Sequence, residues 1–333
     1  QTQTQTQTQQ LKGKEVQTQT QQAKAKEQSQ KQPIQQPQKQ NLQQHKHNQS
    51  TDDTAATQEI IEWRHKRHQN CQDPEGWLSL VGLHWLDHGP NTFGLDGSNK
   101  VVLETPNAAK DFGVFDVRDD GVWYSPVVND GAVVLCDGKP VTETMKVVSD
   151  ADNASNISTF RYGSLVWFII KRGGAYAIRI KDRESPLVKS FNGLDYYPID
   201  LKYRVNAHFE PFPTPIHTQN TTAAGTTETI IMYGKLTFQI DNQPLSLITT
   251  EQPTKRFVLM LTDDTTHKTT YGGGRYVWVD PIDADGNTII DFNKAYNPPC
   301  IFTSYATCSR PPSENTLPIA IEAGEKMWSG YKH

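Results

Sequence analysis

Side chains that could do chemistry are concentrated in residues 271–308. Gly272-Gly273-Gly274 lets the backbone come close to a ligand or to another strand, because glycine tolerates positive φ. Arg275 follows directly, and its planar guanidinium can hold a carboxylate or a phosphate through two parallel hydrogen bonds. Arg275 could equally pair with Asp291 or Glu322 inside the protein and stabilise the segment. The sequence is consistent with both roles.

Asp291 and Asn293 flank Phe292 in a strand-like segment, so their side chains share one face of the strand. A carboxylate and an amide on one face can bind a metal, act as an acid or base, or cap the loop that follows. That loop contains Pro298-Pro299 and must satisfy its backbone polar groups. This requirement favours a capping role for Asn293 and Asn297, with acid–base chemistry by Asp291 as the alternative.

Cys300 carries a potential nucleophile, but a thiolate needs a nearby base or positive field to lower its pKa. The sequence within twenty residues of Cys300 contains no histidine. His84 could supply the base only if folding brings it close. The candidate catalytic residues are therefore Asp291, His84 and Cys300. The candidate ligand-binding residues are Tyr271, Arg275, Asn293, Asn297 and Tyr305.

Arg179 and Lys181 alternate with Ile178 and Ile180, which predicts a strand with a basic face opposite an apolar face. Three more arginines extend this positive charge along the sequence: Arg172, Arg183 and Arg204. Internal ion pairs are one interpretation, with the neighbouring carboxylates Asp182, Asp195 and Asp200 as partners. The alternative is an anion-binding cleft between two modules.

The signatures of several common enzyme classes do not occur in this sequence. Gly-x-Ser-x-Gly, HExxH, P-loop and GxGxxG patterns are all missing, and no particular cofactor is indicated. His65, His68 and Cys71 have a spacing that suits a metal, but no fourth ligand lies nearby, so we predict no metal site. The four cysteines form no CxxC pair. We expect reduced thiols, although Cys300 and Cys308 are close enough to form a disulfide or to supply two metal ligands.

Composition divides the chain into a glutamine-rich start and a globular remainder. Residues 1–50 hold 20 Gln and seven Lys against two Glu. Such a segment cannot bury enough apolar surface to offset its ordering entropy, so we predict a disordered tail over residues 1–56. The acidic excess lies in the remainder, which makes nucleic acid an unfavourable partner. No apolar run reaches the roughly 20 residues that span a bilayer, and no apolar leader is recognisable, so we expect a cytoplasmic protein without a membrane partner.

The elements that must position these side chains are mostly strands. One short amphipathic helix is predicted around residues 59–66, and Asp73-Pro74-Glu75-Gly76 should end it. From Trp77 onward, short apolar runs alternate with turn residues about every eight to twelve positions, which is typical of a β-sandwich or β-barrel. Hairpin turns are predicted at Asp119-Asp120-Gly121 and Asp137-Gly138-Lys139, and further turns separate apolar runs at Arg172-Gly173-Gly174 and Tyr233-Gly234-Lys235.

We predict two β-rich modules behind the tail. Residues 57–184 form an N-terminal β-sandwich module with its leading helix. Residues 185–228 are rich in proline and serve as a crossover. Residues 229–333 form a C-terminal β module that includes the polar and aromatic segment described above. No feature of the sequence indicates an oligomeric state.

Several longer motifs resemble a known family. They are Thr270-Tyr271-Gly272-Gly273-Gly274-Arg275-Tyr276, Asp291-Phe292-Asn293-Lys294-Ala295-Tyr296-Asn297-Pro298-Pro299-Cys300, Tyr305-Ala306-Thr307-Cys308, Pro311-Pro312-Ser313-Glu314-Asn315, Glu322-Ala323-Gly324-Glu325-Lys326, and the earlier Gly76-Trp77-Leu78 with Gly82-Leu83-His84-Trp85-Leu86. Together they resemble domain-of-unknown-function family 1684 over about residues 60–326. The resemblance implies a family without an established activity.

The run from Trp85 to Leu103 resembles the opening strands of forkhead-associated β-sandwiches. It shares Trp85-Leu86, Gly89, Asn91-Thr92-Phe93-Gly94, Asn99 and Val101-Val102-Leu103. Leu95 stands where that family carries the arginine that reads phosphothreonine. The resemblance therefore implies a sandwich geometry and does not extend to phosphopeptide binding.

Together these features predict a mostly β protein that binds a small anionic molecule in a cleft between its modules, lined by residues 271–308. Two other functions are open. One is a non-catalytic binding or scaffolding module. The other is a hydrolase or isomerase that uses Asp291, His84 or Cys300.

Overall fold

The computed structural model describes residues 38–127, 133–153 and 155–330. The protein is mostly β, as predicted, with two α-helices in the described residues, α1 (Gln38–Cys71) and α2 (Pro186–Ser190). Its strands are β1 (Leu80–Trp85), β2 (Gly89–Gly94), β3 (Val101–Val102), β4 (Gly113–Arg118), β5 (Gly121–Pro126), β6 (Leu135–Cys136), β7 (Lys139–Pro140), β8 (Met145–Val147), β9 (Phe160–Tyr162), β10 (Leu165–Arg172), β11 (Ala175–Asp182), β12 (Arg204–Thr221), β13 (Thr227–Ile240), β14 (Gln243–Thr249), β15 (Phe257–Leu261), β16 (Arg275–Val279) and β17 (Asn287–Asp291).

Helix α1 begins at Gln38, before the predicted start of order near Thr57, and is 34 residues long. Ile60 and Cys71 are buried on one face of its second half. The helix ends where the chain turns at residues 72–76, as the Asp-Pro-Glu-Gly sequence predicts. Residues 1–37 of the predicted disordered tail lie outside the described residues. The compact unit that carries the β-sheets spans Ala56–His333.

Two sheets form a β-sandwich in the first half of this unit. One sheet has the strand order β1-β11-β10-β9-β6-β7, and the other has the order β3-β2-β4-β5-β8. Their inner faces share one core, in which the Phe93 and Trp167 rings lie 5.4 Å apart. The turns predicted at residues 119–121, 137–139 and 172–174 join β4 to β5, β6 to β7 and β10 to β11.

A second core lies between the sheets of the C-terminal half. The four-stranded sheet has the order β14-β13-β12-β17, and β15 pairs with β16. Leu236, Leu247, Leu259, Val277 and Phe292 are fully or almost fully buried in this core. The segment predicted as a crossover contains the 18-residue strand β12, which pairs with both β13 and β17.

The turn predicted at Tyr233-Gly234-Lys235 is wrong, because β13 runs through it without interruption. Gly234 is needed for space: a Cβ there would lie 2.6 Å from the Phe209 ring and 2.5 Å from the Glu210 carbonyl oxygen. The chain reverses instead at Asp241 and Asn242, which both have positive φ, at 51° and 63°. That pair of values is typical of a two-residue hairpin turn.

A smaller apolar cluster joins the helix to both halves of the unit. It contains Cys71, Leu78, Phe191, Phe302 and Trp328. Near it, the Thr303 hydroxyl donates a hydrogen bond of 3.4 Å to the carbonyl of Leu80 in β1. The C-terminal half therefore contacts the six-stranded sheet through Leu80 and, on the face opposite the sandwich core, through Arg179, which donates to the Thr307 hydroxyl. Among the helices of the described chain, none combines the length and apolar character needed to cross a membrane.

Candidate functional site

Arg179 lies on strand β11 at the junction of the two halves. Ile178 and Ile180 on either side belong to the core of the sandwich, so Arg179 points to the opposite face of the sheet, as the alternation predicts. The C-terminal half covers this face, and Arg179 is only 6% exposed. Its Nη2 donates a hydrogen bond of 3.0 Å to the Thr307 hydroxyl, and its guanidinium lies 5.5 Å from the Trp77 ring.

The charge of Arg179 has no acidic partner in the part of the chain that the structure describes. Its Nε is buried without a hydrogen bond. The Asp150 carboxylate acts on Arg179 through its charge and raises its pKa, but Asp150 lies 2.7 Å from Arg172 and is already paired with it. Burial, and then the neighbouring Arg172 cation, lowers the pKa of Arg179 to about 10, so the guanidinium is still charged at neutral pH.

Arg179 opens into a cleft of about 540 Å³ between the two halves, here called the Arg179 cleft. From the N-terminal half, Trp77 and Arg172 line it. From the C-terminal half, its wall contains Ile230, Ile231, Tyr233, Glu251, Met260, Tyr276, Thr307 and Cys308. The cleft therefore combines one unpaired buried cation with aromatic and aliphatic side chains.

The arginines grouped by the sequence analysis separate in the structure. Arg172 and Arg179 share the cleft, whereas Arg183 is exposed and donates to the Gly163 carbonyl at 2.7 Å. Arg204 lies 3.8 Å from Asp291 in a different groove. Asp182, one of the suggested neutralising carboxylates, accepts a hydrogen bond of 3.0 Å from Asn107 and belongs to another network.

Tyr271 and Cys300, both predicted as site residues, meet in a second cavity of about 400 Å³, here called the Tyr271 cavity. The Tyr271 hydroxyl donates a hydrogen bond of 3.4 Å to the Cys300 carbonyl. His267, Thr303 and Arg310 are among the other polar residues of its wall. His267 supplies an imidazole that the sequence pattern did not reveal, since it lies more than thirty residues before Cys300.

Arg275 adopts the structural role that the sequence left open. It is 2% exposed, and its Nη2 lies 2.6 Å from Asp263, which is also buried. The carbonyl of Ile321 accepts a further hydrogen bond of 2.9 Å. The predicted internal partners were Asp291 and Glu322, but Asp291 caps a neighbouring turn and Glu322 is exposed. The guanidinium is buried within this network.

Asn293 and Asn297 serve mainly as internal caps. The Asn293 side chain accepts from the Asp200 amide and donates to the Asp200 carbonyl, each at 3.0 Å. The Asn297 side-chain nitrogen donates a hydrogen bond of 2.8 Å to the Lys326 carbonyl. Its side-chain oxygen Oδ1 is buried and has no hydrogen-bond partner among the described residues. The backbone amide of Asn297 donates a hydrogen bond of 2.7 Å to the fully buried Glu325 carboxylate.

Asp291 lines a third cavity of about 550 Å³, here called the Asp291 groove. Its Oδ1 accepts from the Asn293 amide at 3.1 Å, but its Oδ2 is buried without a hydrogen bond. Arg204 and Lys294 lie at 3.8 and 3.9 Å, too far for hydrogen bonds. Burial is the main cause that raises the pKa of Asp291. Glu59, Trp63 and Trp278 also line the groove.

The structure does not bring all the candidates into one site. His84 is half-buried in β1, where it faces Ile178 across the ladder, and burial lowers its pKa. It lines none of the three cavities described above. Tyr305 also lies outside the three cavities. Its backbone amide donates a hydrogen bond of 3.2 Å to the Thr303 hydroxyl. The candidate residues are thus divided among two cavities, the protein interior and two half-buried positions outside the cavities.

Fold and cavities together define a mostly β protein with a polar cleft between its two halves. Residues 189–326 match the family model described as "Protein of unknown function (DUF1684)". Residues 189–326 therefore belong to this family, as the motifs within them predict. A similar solved structure is the solution NMR structure of an uncharacterised protein from Haloarcula marismortui, 30% identical over 41% of this chain and 78% of that chain, with a TM-score of 0.35. No curated protein matches the chain.

Proposed function

We propose that the protein binds a small organic anion in the Arg179 cleft. The observation that carries this proposal is the buried Arg179 guanidinium, which has no carboxylate partner among the described residues. Burying an uncompensated charge costs several kcal/mol, so a site of this kind is stabilised when an anion supplies the missing charge. The location also supports the proposal, because small-molecule sites are frequent at the junction of two structural halves.

The lining of the Arg179 cleft favours a ligand with both an acidic and an apolar part. A carboxylate or phosphate could accept hydrogen bonds from the part of the Arg179 guanidinium that lines the cleft. The Thr307 hydroxyl accepts from Arg179, so its own proton is available to the same anion. Trp77, Met260 and Tyr276 offer apolar surface beside this position. An aromatic or aliphatic anion is therefore the ligand class that fits best.

Isothermal titration calorimetry with benzoate and phenyl phosphate tests the proposal, with benzamide as the uncharged counterpart. We expect the anions to bind the wild-type protein and benzamide to bind at least about tenfold more weakly, because the charge interaction is lost. Arg179→Met should abolish the anion preference. Arg183→Met, which removes an exposed arginine close in sequence, should leave it unchanged. Equal binding of anions and benzamide, or retained preference in Arg179→Met, contradicts the proposal.

Acid–base catalysis by Asp291 is a second candidate function, and one observation favours it. Its Oδ2 lines the Asp291 groove, is buried, and has no hydrogen bond in this structure. Burial raises the pKa of Asp291, while an ion pair with Lys294 lowers that of Glu59 in the same groove. Two carboxyl groups with pKa values shifted in opposite directions can serve as a general acid and a general base.

Chromogenic nitrophenyl esters and glycosides provide the test of this second candidate. Hydrolysis by the wild-type protein that disappears in Asp291→Asn supports a catalytic role. The exposed Asp283→Asn on the rim of the groove is the matched control and should keep full activity. Equal turnover in wild type and Asp291→Asn, or none in either, contradicts it.

A further inference from the structure

Two tryptophans, Trp63 of α1 and Trp278 of β16, belong to the walls of two cavities at once. Both line the Asp291 groove. Both also line a smaller cavity of about 260 Å³, here called the Trp63 pocket. The other lining residues of this pocket are Lys66, Arg67, Asn70, Arg256 and Tyr296. The groove and the pocket therefore adjoin and form one elongated depression, with the two tryptophans where they meet.

The strand pattern of β16 places Trp278 on the outer face of the C-terminal half. Its neighbours Val277 and Val279 are buried in the second core, whereas Trp278 is 42% exposed. Ile289 of β17, which lines the same groove, is 39% exposed. Exposed apolar side chains that are grouped rather than scattered mark binding surfaces. The depression therefore contains an apolar surface that the fold itself leaves uncovered.

Contacts with neighbouring side chains hold the aromatic rings in place. The Arg256 guanidinium lies 5.2 Å from the centre of the Trp278 ring. The Trp63 ring lies 6.4 Å from the Tyr296 ring, and the Arg67 guanidinium lies 5.1 Å from the same tyrosine ring. Rings that are already positioned lose little conformational entropy when a ligand packs on them.

The charges of the Asp291 groove balance one another. Each of its three lining cations is close to a carboxylate: Lys294 is 2.6 Å from Glu59, Arg204 is 3.8 Å from Asp291, and Arg256 is 3.7 Å from Asp280. In the Trp63 pocket, Arg67 is paired with Glu325 at 2.8 Å, and Lys66 is exposed to solvent, where its charge is hydrated. This arrangement contrasts with the unpaired Arg179 and favours a neutral polar ligand over an anion.

We infer that this depression binds a neutral oligosaccharide. A pyranose ring has an apolar face of C–H groups and a rim of hydroxyls, so it requires an aromatic surface beside hydrogen-bonding groups. Trp63 and Trp278 supply the aromatic surface. Asn206, Asp283 and Asn287, all exposed in the groove wall, supply donors and acceptors for hydroxyls. Two adjoining cavities suit consecutive sugar units of one chain.

A folded protein is a poorer match for the same surface. Stable protein interfaces bury about 800 Å² on each partner, and this requires a broad complementary face rather than a confined depression. The inferred sugar site is distinct from the Arg179 cleft, since the two share no lining residue. Sugar binding also does not require catalysis by Asp291.

Isothermal titration calorimetry of the full chain with cellohexaose, mannohexaose and maltohexaose tests the inference. Hexagalacturonate is the anionic counterpart of similar length. We expect at least one neutral hexasaccharide to bind with a Kd at or below about 1 mM, and hexagalacturonate to bind more weakly than that sugar. Absence of binding by all three neutral sugars overturns the inference. Binding of hexagalacturonate as tight as that of the best neutral sugar also overturns it.

Trp278→Ala should lower the affinity for the bound hexasaccharide at least about tenfold, because the packing surface is lost. Trp278→Tyr keeps an aromatic ring and should retain more of the affinity than Trp278→Ala does. Trp123→Ala is the matched control. Trp123 also has an arginine beside its ring, with Arg118 at 5.0 Å, but it lies on β5 and lines neither cavity. Equal affinities of Trp278→Ala and Trp123→Ala overturn the assignment.

Two cross-checks separate this inference from anion binding in the Arg179 cleft. Arg179→Met should leave the sugar affinity unchanged, and Trp278→Ala should leave the affinity for benzoate unchanged. Loss of sugar binding in Arg179→Met would place the sugar in the Arg179 cleft and overturn the assignment. Thermal melting of each variant checks that it is folded, and stabilisation of the wild-type protein by the hexasaccharide provides a measurement that needs no variant.

Discussion

Two buried arginines of this protein have opposite electrostatic surroundings. Arg275 is 2% exposed and lies 2.6 Å from the Asp263 carboxylate. Arg179 is 6% exposed, and no carboxylate in the described residues pairs with it. A paired buried arginine stabilises the fold through its partner, whereas an unpaired one is a cost that a ligand can offset. This contrast is the reason to assign structure to Arg275 and ligand binding to Arg179.

At the same scale, Asp291 should give stability an unusual pH dependence. Burial raises its pKa in the folded state above the ordinary value of 3.8. The folded state therefore binds the Asp291 proton more tightly than the unfolded state does. As a result, the free energy of unfolding of the wild-type protein decreases as pH rises from the unfolded pKa through the folded pKa. Asp291→Asn removes this effect. Its stability relative to wild type should increase from pH 4 to pH 7, as measured by urea unfolding.

Asp283→Asn provides a control of opposite sign for the pH experiment. Hydrogen bonds from the Asn287 and Asp285 amides lower the pKa of the exposed Asp283, so its carboxylate favours the folded state above the unfolded pKa. The stability of Asp283→Asn relative to wild type should decrease over the same pH range. A flat difference for Asp291→Asn would show that its carboxyl group is not shifted by burial.

The sequence predicts some of these residues and not others for a clear reason. Strand alternation is a local pattern, so it correctly placed Arg179 opposite Ile178 and Ile180. The pairing of Arg275 with Asp263 depends on how β16 meets the loop after β15, which no local pattern encodes.

At the scale of the element, glycines show where the backbone itself is constrained. Gly324 has φ of +76°, and a Cβ there would lie 2.5 Å from the Ala295 carbonyl oxygen and 2.8 Å from that of Phe292. Gly324→Ala should therefore destabilise the protein by more than about 2 kcal/mol, because backbone strain and overpacking act together. Gly225 has a similar φ of +77° with open space around it.

Gly225→Ala isolates the conformational part of the effect and should cost only about 1 kcal/mol. Chemical denaturation of both variants measures the two free energies of unfolding. Equal losses in Gly324→Ala and Gly225→Ala would mean that the backbone around Gly324 yields easily and that the segment 322–326 is not rigidly packed.

Hairpins were predictable where the turn chemistry was unambiguous. The glycine-containing turns at residues 119–121 and 172–174 join antiparallel neighbours, as expected. Gly234 was misleading, because its lack of a side chain makes room for Phe209 on the neighbouring strand rather than allowing a turn. The reversal at Asp241-Asn242 lacks glycine, and both residues adopt positive φ.

At the scale of the whole molecule, the end of α1 is integral to the compact unit. Arg67 lies 2.8 Å from Glu325, which is fully buried, and the Glu325 carboxylate also accepts from the Asn297 amide. The compact unit begins at Ala56. A chain that starts at Ala56 should melt within about 4 °C of the full chain.

A chain that starts at Gln72 lacks Arg67 and leaves Glu325 buried without its cation. It should lose roughly 3–5 kcal/mol of stability, or fail to fold. Thermal melting of the two truncated chains beside the full chain provides the comparison. Equal melting of the Gln72 chain and the full chain would mean that α1 is dispensable.

The measurement that tests the central claim most directly compares Arg179→Met with Arg275→Met, each with and without benzoate. Without ligand, Arg275→Met strands Asp263 and should lose roughly 3–5 kcal/mol, while Arg179→Met strands no carboxylate and should stay within about 1 kcal/mol of wild type or exceed it. Benzoate at about 100 times its Kd should stabilise the wild-type protein by about 2.7 kcal/mol and leave Arg179→Met unchanged. A large loss of stability in ligand-free Arg179→Met, with benzoate stabilising it as much as wild type, would contradict the account.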